Sequence, residues 1–284
     1  MLNRAPEVCL ASETHYLAWA RRVRLDRQLH DLQAHGSDDD GVRTLADQFF
    51  LPDSWPWLAR NVAPDEFARR LATTDLSQAS IFETLMQLYA ERRCGPVADG
   101  AILGEKTPDH LHHVVRLAEW FPGALIIHTF RDPRAIYASQ LRRVREARWG
   151  PKARLPWLPA ALIDPLLAPI EAVHTTLNWR DAVRLHHRYR RLLGDRYRLI
   201  RFEDLVANPE REVRSLCEFI GIEYSPDMLE GVDVVGSSFE AARHSSTGFD
   251  RRTIERWRLA VHPLARRWFS LALGRQLDAF GYKR

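Results

Sequence analysis

Between Pro122 and Arg143 the chain reads Pro-Gly-Ala-Leu-Ile-Ile-His-Thr-Phe-Arg-Asp-Pro-Arg-Ala-Ile-Tyr-Ala-Ser-Gln-Leu-Arg-Arg. Residues 124–130 are a near-continuous apolar run, closed off by Pro122-Gly123 before it and Arg131-Asp132-Pro133 after it. That is the pattern of a buried parallel strand. Pro133 suits the first turn of a following helix, where its missing N–H would have no partner in any case. Arg131 then stands at the carboxyl end of the strand, where open α/β sheets receive their ligands. Ser139 and Arg143 follow eight and twelve residues later, so all three side chains can address one anion near the start of that helix.

Two further strand-to-helix units are legible on either side. Ala98 to Leu103 reads as a short strand ending at Gly104-Glu105-Lys106, and Thr107-Pro108 begins a helix with Leu111, Val114, Val115 and Ala118 at helical spacing. Lys106 falls at a strand's carboxyl end, on the side of the sheet where Arg131 lies. It reads either as a catalytic cation or as an ordinary lysine paired with Glu105. His110, His112 and His113 on a helix do not face one ion together, so surface or packing roles are expected. Downstream, Tyr197 to Phe202 reads as another strand, followed by Glu203-Asp204-Leu205. Asn208-Pro209 then starts a helix that buries Val213, Leu216, Cys217 and Ile220 and stops at Gly221.

Together these motifs resemble those of the sulfotransferases, which move a sulfuryl group from 3′-phosphoadenosine 5′-phosphosulfate to an acceptor. Arg131-Asp132-Pro133-Arg134 with Ser139 is similar to that family's 3′-phosphate motif. Glu105-Lys106-Thr107-Pro108 is similar to the branch that includes the tyrosylprotein sulfotransferases. Near the start, Pro6-Glu7-Val8 precedes Glu13-Thr14 at the spacing found in that branch, and the resemblance makes Glu13 the catalytic base. Read from residues alone, Ser12 would be the N-cap of the helix that begins nearby, and Glu13 would favour its positive end. Phe202 stands where the family carries a tyrosine that contacts adenine, keeping the ring and losing the hydroxyl. His244-Ser245-Ser246-Thr247-Gly248, followed by Arg256-Trp257, is similar to the family's nucleotide-wrapping loop.

The resemblance implies a catalytic set of Glu13, Lys106 and Ser246, with Ser245 the alternative to Ser246. It implies nucleotide contacts from Arg131, Ser139, Arg143, Phe202, Ser245, Ser246, Thr247, Gly248 and Arg256. The phosphosulfate is a co-substrate, no metal is required, and the acceptor is a small molecule or peptide with a hydroxyl or amine. The implied fold is one α/β domain over residues 1–284, a P-loop-NTPase-like parallel sheet flanked by helices. The family's opening strand and Gly-rich phosphosulfate loop have no counterpart here, Met1 to Arg4 resembling the last turn of the helix after that loop. About twenty-five to thirty upstream residues would supply strand, turn and helix, so Met1 is expected to be internal to a longer product. The alternative is a pseudoenzyme or regulatory protein that binds nucleotide without transfer. A small-molecule kinase has less support, since no Walker lysine motif or Mg²⁺-holding pair is found.

The rest of the chain constrains less. Its 284 residues suffice for a large core, and no eighteen-residue apolar window or basic-then-apolar leader is found, which reads as a cytoplasmic protein without a membrane span. The formal charge of +4 is spread along the chain and does not argue for nucleic acid. Lysine stands only at 106, 152 and 283 against 41 basic residues in all, which singles out Lys106 as a compact ammonium among guanidinium groups. Cys9, Cys94 and Cys217 are widely spaced and read as small core hydrophobes, neither a disulfide framework nor a zinc site. Gly36 to Gly41, with three aspartates, reads as a solvated loop. Val42 to Arg93 reads as helices broken at Pro52, Pro56 and Pro64, with aromatic residues for the core and the acceptor wall. Residues 149–170, with five prolines, read as an irregular insertion: a lid or acceptor flap, or a packing surface for a partner chain such as a homodimer.

Overall fold

Four strands form two parallel pairs in the computed structural model, which describes residues 1–35, 39–51, 55–95, 100–145, 160–232 and 248–283. β1 (Val8–Ser12) pairs with β2 (Ile102–Lys106), in register from Val8 opposite Ile102 to Ser12 opposite Lys106. β3 (Ile126–Phe130) pairs with β4 (Tyr197–Arg201), from Ile126 opposite Tyr197 to Phe130 opposite Arg201. Each pair belongs to its own unit, residues 1–124 and 125–284. Parallel pairing needs a crossover between strands, and in both units helices supply it.

In the first unit the helices are α1 (Tyr16–Arg22), α2 (Leu25–His35), α3 (Asp39–Phe49), α4 (Pro56–Asn61), α5 (Pro64–Leu71), α6 (Gln78–Arg93) and α7 (Val114–Trp120). Their starts follow local chemistry. Pro56 and Pro64 occupy first turns, and Ser77 caps α6 in a reciprocal box with Ser80. The core is aromatic: Tyr16, Phe49 and Phe67 have no exposed surface, and Trp19 stacks on Trp55 at 5.2 Å between centroids.

The second unit holds α8 (Pro133–Arg145), α9 (Ala160–Leu193), α10 (Phe202–Ala207), α11 (Pro209–Ile220), α12 (Arg252–Glu255), α13 (Trp257–Ala260) and α14 (Pro263–Ala279). Phe130, Tyr137, Trp179, Phe269 and Leu277 form its centre, and Phe130 stacks on Phe280 at 4.7 Å. Gly221 ends α11 in the left-handed region at φ +78°, a conformation that costs glycine nothing.

Several expectations need correction. Ser12 is the last residue of β1 and caps no helix; α1 starts after His15 instead. The N-terminal helical stretch is two helices, because Arg24 turns left-handed between them. Asp39 and Asp40 open α3, where acidic residues suit the positive helix end, so the expected loop is shorter. Ala160 to Pro169, expected to be irregular, is the start of α9, with Pro165 and Pro169 inside it. Each proline forfeits one backbone bond, but both lie near the amino end of a helix that continues without proline from Ile170 to Leu193. β3 is parallel as expected yet only Phe130 along it is buried, since in a two-stranded sheet one edge of the strand has no neighbour. Asn208 precedes α11 without a side-chain cap. Cys9 and Cys94 form a disulfide between β1 and the end of α6, while Cys217 alone matches the reading as a buried hydrophobe. A separation of 85 residues carries no signal of that pairing.

Candidate active site

Glu13 follows β1 immediately, and Lys106 ends β2. The parallel register extends one residue past the strands, where the Glu13 N–H donates to the Lys106 carbonyl at 2.7 Å. The Lys106 ammonium in turn donates to Glu13 Oε1. Both side chains are more than half exposed, so the pair adds little to stability and leaves both groups open to a ligand.

The loop that carries Glu13 is strained. Glu13 and His15 both adopt left-handed backbone, at φ +45° and +54°, a region that costs residues with a Cβ about 1 kcal/mol or more each. Thr14 between them is fully buried and holds the loop in place. Its N–H and hydroxyl donate to Glu105 Oε1 at 2.9 and 2.8 Å, and its carbonyl accepts from the Trp55 indole at 2.6 Å. The Thr107 hydroxyl also donates to Glu105 Oε1 and accepts from the His15 N–H at 3.2 Å. His110 Nδ1 lies 2.7 Å from Glu105 Oε2, both side chains being largely buried. Burial pushes the Glu105 carboxyl up, but the bonds from His110, Thr107 and Thr14 outweigh it and hold it below the usual range. Glu105 is therefore a buried anion that gathers the Glu13 loop. Sequence reading assigned it only as the lysine's alternative partner and left His110 to surface or packing. Its signal was the alternation of β2, which turns Glu105 inward and Lys106 outward.

In the second unit Arg131 follows β3 and Phe202 follows β4. The Arg131 guanidinium lies over the Phe202 ring at 4.2 Å, so two residues expected to share a nucleotide do meet. Arg131 is largely buried, its Nε has no partner, and its carbonyl accepts from the Trp179 indole at 3.0 Å. Burial lowers its pKa within the always-charged range. Ser139 and Arg143 stand one turn apart on α8, both half-buried.

A second buried network fixes the Arg131 turn. Glu203 accepts from the Asp132 N–H and the Tyr282 hydroxyl, each at 3.0 Å. Arg134 donates to both Asp132 oxygens, to the Lys283 carbonyl at 2.6 Å, and packs on Trp257 at 4.0 Å. Burial raises the Glu203 pKa. Asp132, Arg134, Glu203 and Trp257 stand in the motifs of the sequence reading without any role in such a network, because Tyr282 and Lys283, which complete it, are far away along the chain. Gly248 donates its N–H to the Val232 carbonyl at 2.8 Å, and Arg256 bonds Asp250 at 3.1 Å. Ser245, Ser246 and Thr247 lie outside the described residues. Among the described residues no cluster of His, Cys, Asp and Glu could hold a metal ion.

An acid against an ammonium beside one strand pair, and an arginine on an aromatic ring at the end of the other, suit proton removal and anion binding respectively. The model of the sulfotransferase family matches residues 1–226. This chain belongs to the sulfotransferase family. Carbohydrate sulfotransferase 5 of Homo sapiens is 31% identical over 149 residues, 48% of this chain and 34% of that protein. The omega-hydroxy-beta-dihydromenaquinone-9 sulfotransferase Stf3 of Mycobacterium bovis is 26% identical, over 52% of this chain and 34% of that protein. The match thus spans about a third of the length of each relative. Among solved structures, the sulfotransferase domain of the Synechococcus PCC 7002 olefin synthase superposes with a TM-score of 0.51 at 19% identity, covering 98% of this chain and 94% of that one, a likeness of fold.

Proposed function

We propose that this sulfotransferase-family chain transfers a sulfuryl group in line from 3′-phosphoadenosine 5′-phosphosulfate to a hydroxyl or amine of a small-molecule or peptide acceptor. The observation that carries the reading is the Glu13 carboxylate held against the Lys106 ammonium at the ends of paired strands, on a strained loop. Strain of that kind persists where surrounding structure enforces it, as Glu105 and Trp55 do here.

Glu13 takes the acceptor's proton as the acceptor oxygen or nitrogen bonds to sulfur. The bond from sulfur to the bridging phosphate oxygen breaks, and 3′-phosphoadenosine 5′-phosphate leaves. Lys106, with Ser246, stabilises the charge that develops on the sulfuryl and bridging oxygens. Arg131, Ser139 and Arg143 take the 3′-phosphate, and Phe202 takes the adenine. The buried, unpartnered Nε of Arg131 fits that assignment, since an anion would accept from it. The family model crosses from one unit into the other, which supports a single transferase domain. No described helix is long and apolar enough to cross a membrane. On the compartment, the Cys9–Cys94 bond favours oxidising surroundings over the cytoplasm.

Calorimetry with 3′-phosphoadenosine 5′-phosphate and with adenosine 5′-phosphate tests the nucleotide half. The 3′-phosphate should tighten binding at least tenfold, and Arg131→Ala should weaken binding of 3′-phosphoadenosine 5′-phosphate by about tenfold or more, as loss of a charge-assisted contact worth roughly 1.5–3 kcal/mol requires. Equal affinity for the two nucleotides would refute the assignment.

A further inference from the structure

The first unit contains a cavity of about 750 Å³ along β1, within the range of small-ligand sites. It lies on the edge of β1 that β2 leaves free. There Asn3 closes on the strand, its amide donating to the Leu10 carbonyl at 2.9 Å and accepting from the Leu10 N–H at 2.6 Å. The walls are α4 and the end of α6, and Ser12, the residue before Glu13, is part of the lining. The Glu13 carboxylate therefore belongs to the same strand end that the cavity reaches.

Among the described residues its lining carries one sign of charge: Arg4, Arg60 and Arg93 contribute guanidinium groups and none of the described lining residues is acidic. Trp57 lies stacked on Tyr89 at 5.5 Å with planes 20° apart, an aromatic surface inside a cationic cavity. The walls are fastened to one another. Arg93 donates twice to Asn61 Oδ1, at 3.1 and 3.0 Å, which joins α6 to α4. The Cys9–Cys94 disulfide joins the end of α6 to β1. A guanidinium has five N–H groups, so Arg93 retains donors after those two bonds. A site held by covalent and bidentate links spends little ordering entropy when a ligand enters.

We propose that this cavity is the acceptor's recognition site and that the acceptor is a ring compound bearing a carboxylate or sulfate, the ring packing on Trp57 and the anion taken by Arg60 and Arg93. The inference rests on the proposed transferase reading for its meaning and on the cavity's chemistry for its content. An acidic sugar and a hydroxyaryl acid share that chemistry, and matched probes distinguish them.

The test is calorimetry on the whole chain with two pairs of probes: a glucuronate-containing disaccharide against lactose, and 4-hydroxybenzoate against phenol. At least one charged probe should bind tenfold or more tightly than its neutral partner, and the pair showing this names the ring. Arg60→Ala, an exposed change, should remove most of that preference, and Trp57→Ala should weaken both members of the pair. Arg93→Lys keeps charge without the paired geometry and should reduce the preference in part. No preference for charge in either pair, or an unchanged preference in Arg60→Ala, overturns the inference. Binding of 3′-phosphoadenosine 5′-phosphate in the same samples separates the two ideas: nucleotide bound without charged probe sinks the cavity assignment alone, and charged probe bound without nucleotide sinks the transferase reading alone.

Discussion

Replacing Glu105 with Gln would preserve the shape beneath the Glu13 loop and remove the charge that gathers Thr14, Thr107 and His110. We expect kcat to fall about tenfold or more with nucleotide affinity unchanged, because Glu13, the proposed base, is displaced and the proposed nucleotide contacts are not. The stability effect has a definite sign. The Glu105 carboxyl is held below its usual range, so its contribution is present above the unfolded-state pKa near 4.5 and is lost as pH falls through the lower folded value. Urea unfolding should show Glu105→Gln less stable at pH 7 by roughly 1–3 kcal/mol, with the gap closing below pH 4. A gap that widens in acid would contradict the role. At this scale the sequence was legible where a side chain acts through its own local frame. Glu13, Lys106, Arg131 and Phe202 follow strands or end them, and the structure brings Glu13 to Lys106 and Arg131 to Phe202. Glu105 and Glu203 were not legible, because their partners are assembled by tertiary contact.

Among elements, β2, β3, β4 and the proline-started helices were legible from apolar runs, helical spacing and turn residues, whereas β1, whose last residue was read as a helix cap, and the long-range ties were not. The Cys9–Cys94 bond closes a loop of 85 residues and in the chain-entropy account contributes up to about 4–5 kcal/mol. Cys94→Ser, or reduction of the wild type, should lower Tm by several degrees, and mass spectrometry after alkylation should find one free thiol, Cys217, in the untreated protein. Three alkylated cysteines would contradict the bond. In the second unit His128 and His186 each place Nδ1 on the Tyr197 hydroxyl, at 2.7 and 2.9 Å, so the hydroxyl donates to one ring and accepts from the other. Burial, with a smaller effect from His186, lowers the His128 pKa to about 4. A lowered histidine stabilises the fold only while neutral: its contribution is complete above pH 6.5 and declines as pH falls towards 4. For a gap of that size the loss is roughly 3 kcal/mol. Thermal unfolding should show this acid slope, and His128→Gln should flatten it.

For the whole chain, the family model joins what the strand pairs divide, since it runs from residue 1 to residue 226 across both units. The fold class was legible from three strand-to-helix turns. The helical start of α9 was not, because Pro165 and Pro169 within it contradict the local rule by which proline breaks a helix, and residues 149–159 of the expected insertion lie outside the described residues. The central claim is that Glu13 and Lys106 perform sulfuryl transfer on bound phosphosulfate. Its most direct measurement is single-turnover transfer of labelled sulfuryl to acceptor by the wild type, Glu13→Gln and Lys106→Ala, with binding of 3′-phosphoadenosine 5′-phosphate followed in parallel. The account predicts transfer by the wild type and a fall in rate of about a hundredfold or more in each variant, with nucleotide affinity nearly constant. Nucleotide binding without transfer by the wild type, or variants that transfer as fast as the wild type, would contradict it.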